Sequence, residues 1–279
     1  MKASILIPAY RHHYFEDALT SAINQIAGVG EIIVSDDSPS NKIRKITEDL
    51  SKNSNVPIVY IRNKTPLGEA KNFLQTVKIA SFPYIKPLHD DDVLHPNCTA
   101  RLVEVLEEHD NISLATVRRN LINAKGEDIG GINYPLSFGN LCIKNNSILS
   151  LLARDAINWF GEPSCILFRR ENCLSFGELF FTLEGLLTPG CGDLASCVNL
   201  LNLGDLGLLP DLLVSHRLSN YSQSAAFRLS EKDSGISSYS GLEVIKNYLE
   251  KYGYPKEAAG DLVAAPLVYP LIFQKYTFL

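Results

Sequence analysis

The 279-residue chain has no excess of basic residues: 26 Lys and Arg stand against 31 Asp and Glu, for a net charge of −5. Without a positive field it has no electrostatic basis for holding nucleic acid. It lacks a CxxC pair. Its six cysteines, Cys98, Cys142, Cys165, Cys173, Cys191 and Cys197, show no ligand-like spacing with histidine. They are expected as buried thiols of a reducing compartment rather than a disulfide framework. Long hydrophobic runs are missing too. The longest uncharged apolar stretch, Leu262 to Gln274, contains two prolines and falls short of a spanning helix. Met1-Lys2 and a few apolar residues before Arg11-His12-His13 are too short for a signal peptide, so the expected location is cytoplasmic. Docking of the tail on the inner face of a membrane or on another subunit stays open. No G-x-G-x-x-G follows a strand; Gly28-Val29-Gly30 precedes one, which removes the support for dinucleotide chemistry. A Gly-rich basic loop after the first strand, as a nucleotidyltransferase needs, is also missing, because Ala9-Tyr10-Arg11-His12-His13-Tyr14 stands there.

What the chain does have is a steady alternation of apolar runs and amphipathic segments. Residues 3–8 read as a fully buried parallel strand, followed by a helix from Phe15 to Gln25. Strands are expected at Ile32–Val34, Val56–Ile61, Tyr84–Leu88 and Ile112–Val117. Helices are expected at Asn41–Lys52, Gly68–Ile79 and Pro96–His109. This tempo implies an α/β sheet, mostly parallel, with helices on both faces. From Asn120 to Asn140 a hairpin around Lys125-Gly126-Glu127-Asp128 is expected, then a helix Ile148–Trp159 and a strand Cys165–Phe168. Asp193 opens a helix through Leu203, and Gly207–Leu209 and Leu212–Arg217 complete the strands. Residues 1–220 form the expected main domain, with halves meeting near residue 118. Residues 221–279 are expected as a C-terminal helical appendage, apolar enough at Leu267, Val268, Leu271, Ile272 and Phe273 to suggest homo-oligomer formation.

The densest chemistry lies in Tyr84-Ile-Lys-Pro-Leu-His-Asp-Asp-Asp-Val-Leu-His-Pro96. Three carboxylates, Asp90, Asp91 and Asp92, close a buried run at a heavy desolvation cost unless positive charge meets them. A hard divalent cation such as Mn²⁺ or Mg²⁺ suits oxygen ligands and commonly also holds substrate phosphates. A second pair, Asp36-Asp37, closes the run Glu31-Ile-Ile-Val-Ser35. Acids at two strand ends predict a metal–nucleotide site at the carboxyl edge of the sheet.

The strings Ser4-Ile-Leu-Ile-Pro-Ala-Tyr10, Glu31-Ile-Ile-Val-Ser-Asp-Asp-Ser38, Gly68-Glu-Ala-Lys-Asn72 and His89-Asp-Asp-Asp-Val-Leu-His-Pro96 stand in that order. Together they resemble glycosyltransferase family 2, inverting enzymes of the GT-A fold that use nucleotide sugars. The resemblance covers residues 3 to about 217. It implies a UDP-sugar donor, a divalent cation, and a hydroxyl acceptor on a bacterial glycan or glycoprotein.

Residue by residue, the resemblance puts Pro8 and Tyr10 at the uracil ring, with a surface tyrosine after a turn as the alternative. Asp37 would accept the base N3–H, while an Asx-turn could engage one acid of the pair. Lys71 takes a position that often faces the nucleotide, or is solvated. The family string is Asp-x-Asp-Asp; here His89 fills its first place and Asp91 its third. Asp91 would then hold the metal and Asp90 approach the ribose, with Asp92 a second ligand or a support for the loop. Asp193 matches the catalytic base, or is a plain helix cap whose pKa the helix end would lower. His216 would return to the metal or diphosphate, or is a core histidine, with Arg217 as the phosphate contact instead. A non-catalytic partner that binds a nucleotide or glycan remains the alternative from another class.

Overall fold

The computed structural model describes residues 1–131, 141–155, 158, 160–219, 238–254 and 273–275. Its first half follows the alternation. Strand β1 (Ala3–Ala9) leads to α1 (Phe15–Ile23), β2 (Val29–Asp36) to α2 (Lys42–Ser51), and β3 (Ile58–Arg62) to α3 (Glu69–Ile79). Then come β4 (Tyr84–Pro87), a two-residue β5 (Val93–Leu94), α4 (Cys98–Glu108) and β6 (Ile112–Ile122). The second half holds β7 (Asp128–Gly131), β8 (Leu141–Ile143), α5 (Asn145–Asp155), β9 (Ile166–Arg169), α6 (Arg170–Phe176), α7 (Gly192–Leu201) and β10 (Asp205–Arg217). Helix α8 (Ser238–Lys251) and β11 (Phe273–Lys275) follow.

One sheet runs in the order β11-β8-β10-β6-β9-β4-β1-β2-β3, with β5 and β7 pairing off that path to β10 and β6. Strands β4, β1, β2 and β3 are parallel neighbours, and β6 and β10 are parallel. Strand β9 runs antiparallel between β4 and β6 and joins the two halves. Period-two alternation splits the apolar residues between the faces. Leu6, Ile33, Ile85 and Phe168 pack with α3, α5, α7 and α8. Ile5, Ile7, Ile32 and Leu167 pack with α1, α2 and α4. Helices cover both faces, which is why the central strands read as unbroken apolar runs.

The structure differs from expectation where apolar continuity misleads. The two short strands expected at 207–209 and 212–217 are one, β10, whose register against β6 shifts across Pro210. A proline removes one ladder hydrogen bond, and the shift accommodates it. The expected hairpin is present as β6–β7, turned at Gly126 with φ +81°. Strands β5 and β8 and helix α6 are too short to leave a periodic signal. The helix expected at Ile148–Trp159 starts earlier, at Asn145.

In the tail, Ile245 and Leu249 of α8 are fully buried in the core shared with α3 and α7, and β11 pairs with β8 rather than continuing a helix. The apolar residues Leu267, Val268, Leu271 and Ile272 lie outside the described residues. Among the described residues, no helix is long and apolar enough to cross a membrane.

Candidate active site

Strand β4 delivers the acidic loop to the carboxyl edge, and β5 pins its far side by pairing Val93 with Ser215 and Leu94 with Val214. The three acids then have three different surroundings. Asp90 Oδ2 accepts the backbone N–H groups of Tyr10 and Arg11, both at 2.7 Å, which fixes the loop after β1. Asp92 is fully buried: its Oδ1 accepts His216 Nδ1–H at 3.0 Å and the Arg217 N–H at 3.1 Å, while Oδ2 accepts the Ser164 hydroxyl at 2.6 Å. The Asp91 carboxylate receives no hydrogen bond from the described residues. Burial and the neighbouring Asp92 charge push its pKa up to about 6. Burial opposes ionisation of Asp92 as well, but the His216 hydrogen bond and charge outweigh it and hold that carboxyl at about 2.

His89, Asp91 and Asp92 each offer one ligand atom, and these atoms lie within 4.8 Å of one another. Two carboxylates and an imidazole make a donor set suited to Mn²⁺ or Mg²⁺. Asp92 uses about three of its four lone-pair sites in hydrogen bonds, and Asp91 keeps its own. The residues present therefore fit a divalent cation.

His216 is not in that group. Burial lowers its pKa, but the Asp92 hydrogen bond and charge overcome this and raise it to about 9. Its Nδ1 lies 3.0 Å from Asp92 Oδ1 and its Nε2 3.9 Å from Glu162 Oε1.

Arg217 is not a phosphate contact either. It is 2% exposed; Nε donates to the Asp91 carbonyl at 2.9 Å, Nη1 to the Asn123 carbonyl at 3.3 Å and Nη2 to Asp17 Oδ2 at 2.8 Å. Its guanidinium also lies 4.3 Å from the Tyr14 ring centroid. This arginine anchors the acidic loop from behind.

At the end of β2, Asp36 forms the Asx-turn, accepting the Ser38 N–H at 2.7 Å, and its other oxygen takes Tyr60 Oη at 2.6 Å and Arg62 Nη1 at 2.5 Å. Asp37 is buried beside it. Its Oδ2 accepts the N–H groups of Leu67 and Gly68, both at 2.9 Å, and its Oδ1 accepts Asn63 Nδ2 at 2.6 Å. Gly68 sits at φ +79°, a conformation that favours glycine and aims two consecutive amides at one carboxylate. Pro8 lies in β1 opposite Ser35, Tyr10 is half exposed at the edge, and Lys71 is exposed on α3.

Asp193 occupies the first turn of α7, where its Oδ1 accepts the Leu194 N–H at 2.8 Å. The helix-cap reading implies a lowered pKa. Burial overrides the helix end and lifts it to about 6, with the charges of His89, Glu69 and Glu162 within electrostatic reach.

Sequence reasoning gave no chemistry to Arg119, Glu162 or Ser164, nor a ligand role to His89. Arg119 is buried and ion-paired to Glu162, and His89 stands 3.9 Å from both Glu69 Oε1 and Asp92 Oδ2. The result is a connected row of ionisable groups: Arg119, Glu162, His216, Asp92, His89, Glu69. Gly161, at φ +79°, lets Arg119 and Cys165 approach, since a Cβ there would meet Cys165 Sγ at 2.8 Å and Arg119 Nη1 at 3.0 Å. The signal was the loop Glu162-Pro163-Ser164 itself, beside which the sequence gives no partner.

The Asp92–His216 pair also sets a stability expectation. A histidine whose folded pKa is raised stabilises fully below about pH 6.5 and loses that contribution as pH rises through about 9. In chelator, unfolding free energy is expected to fall over this window by on the order of 3 kcal/mol. Urea titrations of the wild type and His216→Gln check it; an equal slope in both would remove the pair as its cause.

Comparison with known proteins fits this geometry. Residues 4–172 match the profile of Glycosyl transferase family 2. Abequosyltransferase RfbV of Salmonella typhimurium is 33% identical over 117 residues, 41% of this chain and 35% of that protein. An uncharacterized glycosyltransferase of Haemophilus influenzae is 24% identical over 253 residues, 90% of this chain and 75% of that protein. The chain thus spans about a third of the first relative's length in the matched region. In shape, S. aureus TarS 1-349 in complex with UDP-GlcNAc superposes with a TM-score of 0.65 at 16% identity, covering 88% of this chain and 65% of that one. The mixed sheet is accordingly a GT-A fold. With more than half of its length matched to the family profile, the chain belongs to glycosyltransferase family 2.

Proposed function

We propose that this glycosyltransferase is an inverting, cation-assisted enzyme that moves a sugar from a UDP-sugar to a hydroxyl of a bacterial glycan or glycoprotein. The observation that carries the reading is the group His89, Asp91 and Asp92 at the carboxyl edge of the sheet, whose ligand atoms lie within 4.8 Å of one another. Burial raises the Asp193 carboxyl to about 6, and a base near neutrality suits proton removal from a hydroxyl. That oxygen then forms a bond to the anomeric carbon on the face opposite the departing UDP. The configuration inverts and no covalent sugar–protein bond forms. His89, Asp91 and Asp92 would hold the cation, which when bound neutralises charge on the leaving diphosphate. Asp92 keeps its place through Ser164, His216 and the Arg217 amide.

On the donor side, Tyr10 and Pro8 offer the stacking surface, Asp37 keeps acceptor capacity for a base N–H, and Asp90 Oδ1 is left toward the ribose. Lys71 stands exposed on the adjoining helix. TarS, which shares this fold, holds UDP-GlcNAc in its complex, and that supports a UDP donor here.

A panel of nucleotide sugars, assayed for donor hydrolysis with Mn²⁺ or Mg²⁺, tests this reading. UDP-sugars are expected to turn over, with the rate falling below about pH 6 as Asp193 takes a proton. Absence of both turnover and UDP binding in the presence of Mn²⁺ would favour a non-catalytic binding partner.

A further inference from the structure

Strand β4 carries a lysine where its neighbours are apolar. Lys86 pairs in register with Ile5 at the middle of the sheet and is fully buried. Its Nζ donates to the carbonyl of Pro87 at 2.8 Å and to the carbonyl of Ser164. No carboxylate among the described residues forms an ion pair with it. A buried amine whose hydrogen bonds go only to carbonyls is costly, and a leucine or methionine would pack this position without that cost.

The second carbonyl shows what the amine holds. Ser164 lies in the short 3₁₀ turn Pro163–Cys165 and makes two further contacts, both to the acidic loop. Its hydroxyl donates to Asp92 Oδ2 at 2.6 Å and accepts the His89 N–H at 3.0 Å. Lys86 therefore grips the backbone of the residue whose side chain holds both ends of the His89–Asp92 loop.

We propose that Lys86 is a positioning residue that fixes Ser164, and through it sets His89 and Asp92 in their places. It touches no reacting atom. Its consequence for cation affinity rests on the proposed His89–Asp91–Asp92 site, but its hold on the loop does not.

Hydrogen exchange of the full-length protein and Mn²⁺ titration with UDP present read the two parts separately. In Lys86→Met, the His89 amide is expected to exchange at least tenfold faster while the amides of α2 keep their rates. Mn²⁺ is expected to bind about tenfold more weakly. Lys86→Gln, which can still donate to one carbonyl, recovers part of both. Ser164→Ala keeps the lysine contact but loses the hydroxyl, so it should reproduce both effects. The Lys86→Met/Ser164→Ala double variant should be no worse than the more affected single one. If Lys86→Met does not fold, Lys86→Gln and Ser164→Ala are read alone. Unchanged His89 exchange in the folded variants overturns the proposal. A wild type that binds no Mn²⁺ overturns the cation reading, and the exchange result still decides the role of Lys86.

Discussion

Replacing Asp193 by asparagine is expected to cut kcat by roughly 10²–10⁴-fold, the usual contribution of a positioned base, while UDP affinity changes less than twofold. The carboxyl sits in the first turn of α7, and its Oδ1 accepts the Leu194 N–H. Asparagine can accept that bond equally well. Because burial raises the Asp193 pKa to about 6, its charge opposes folding at neutral pH, so the variant should be no less stable than the wild type. Steady-state kinetics, UDP binding and a melting curve on one preparation separate these effects. A variant that keeps wild-type turnover assigns Asp193 to the helix end and removes it from the chemistry.

The second large effect is expected at Asp91. Its carboxylate is half-buried beside that of Asp92 and receives no hydrogen bond from the described residues, so ionisation is opposed by desolvation and by the neighbouring charge. A carboxyl whose folded pKa is raised loses stability as pH climbs from its ordinary value through about 6. Asp91→Asn therefore should raise stability at pH 8, by roughly 1–2 kcal/mol, while turnover falls roughly 10²–10³-fold, as when an electrostatic contact to developing charge is removed. Mn²⁺ affinity should fall with it. The opposite directions are the test: a residue that serves the structure would lose stability on removal, whereas one kept for a cation gains it. Wild-type Mn²⁺ binding by Asp91→Asn would falsify the ligand role.

The legible part of this fold was the part made from long, uniform signals. Strands β1, β2 and β4 announce themselves because both of their faces are covered, and the acids at their ends stand out against that background. Strand β10 was not legible as one element, because Pro210 interrupts the pattern although the sheet absorbs it as a register shift. At the site, the acidic triplet was visible, but its division of labour was not. Nothing in three consecutive aspartates says that one holds two amides, one receives no hydrogen bond from the described residues, and one is surrounded by donors. Those assignments come from Tyr10, Ser164, His216 and Arg217, which lie 72 to 126 positions away for the contacts to Asp91 and Asp92 and 80 away for Tyr10. Lys86 escaped for a related reason. Inside Tyr84–Leu88 it looks like a blemish in an apolar run, and only the Ser164 carbonyl shows what it is for.

Asp90 has one remaining consequence. It belongs to the same triplet as Asp91, yet one of its oxygens is committed to the amides of residues 10 and 11. In the proposed reading this one side chain ties the loop that would stack uridine to the loop that would hold the cation. If the two sites are coupled through it, reciprocity demands that UDP sharpen Mn²⁺ affinity by the same factor by which Mn²⁺ sharpens that for UDP.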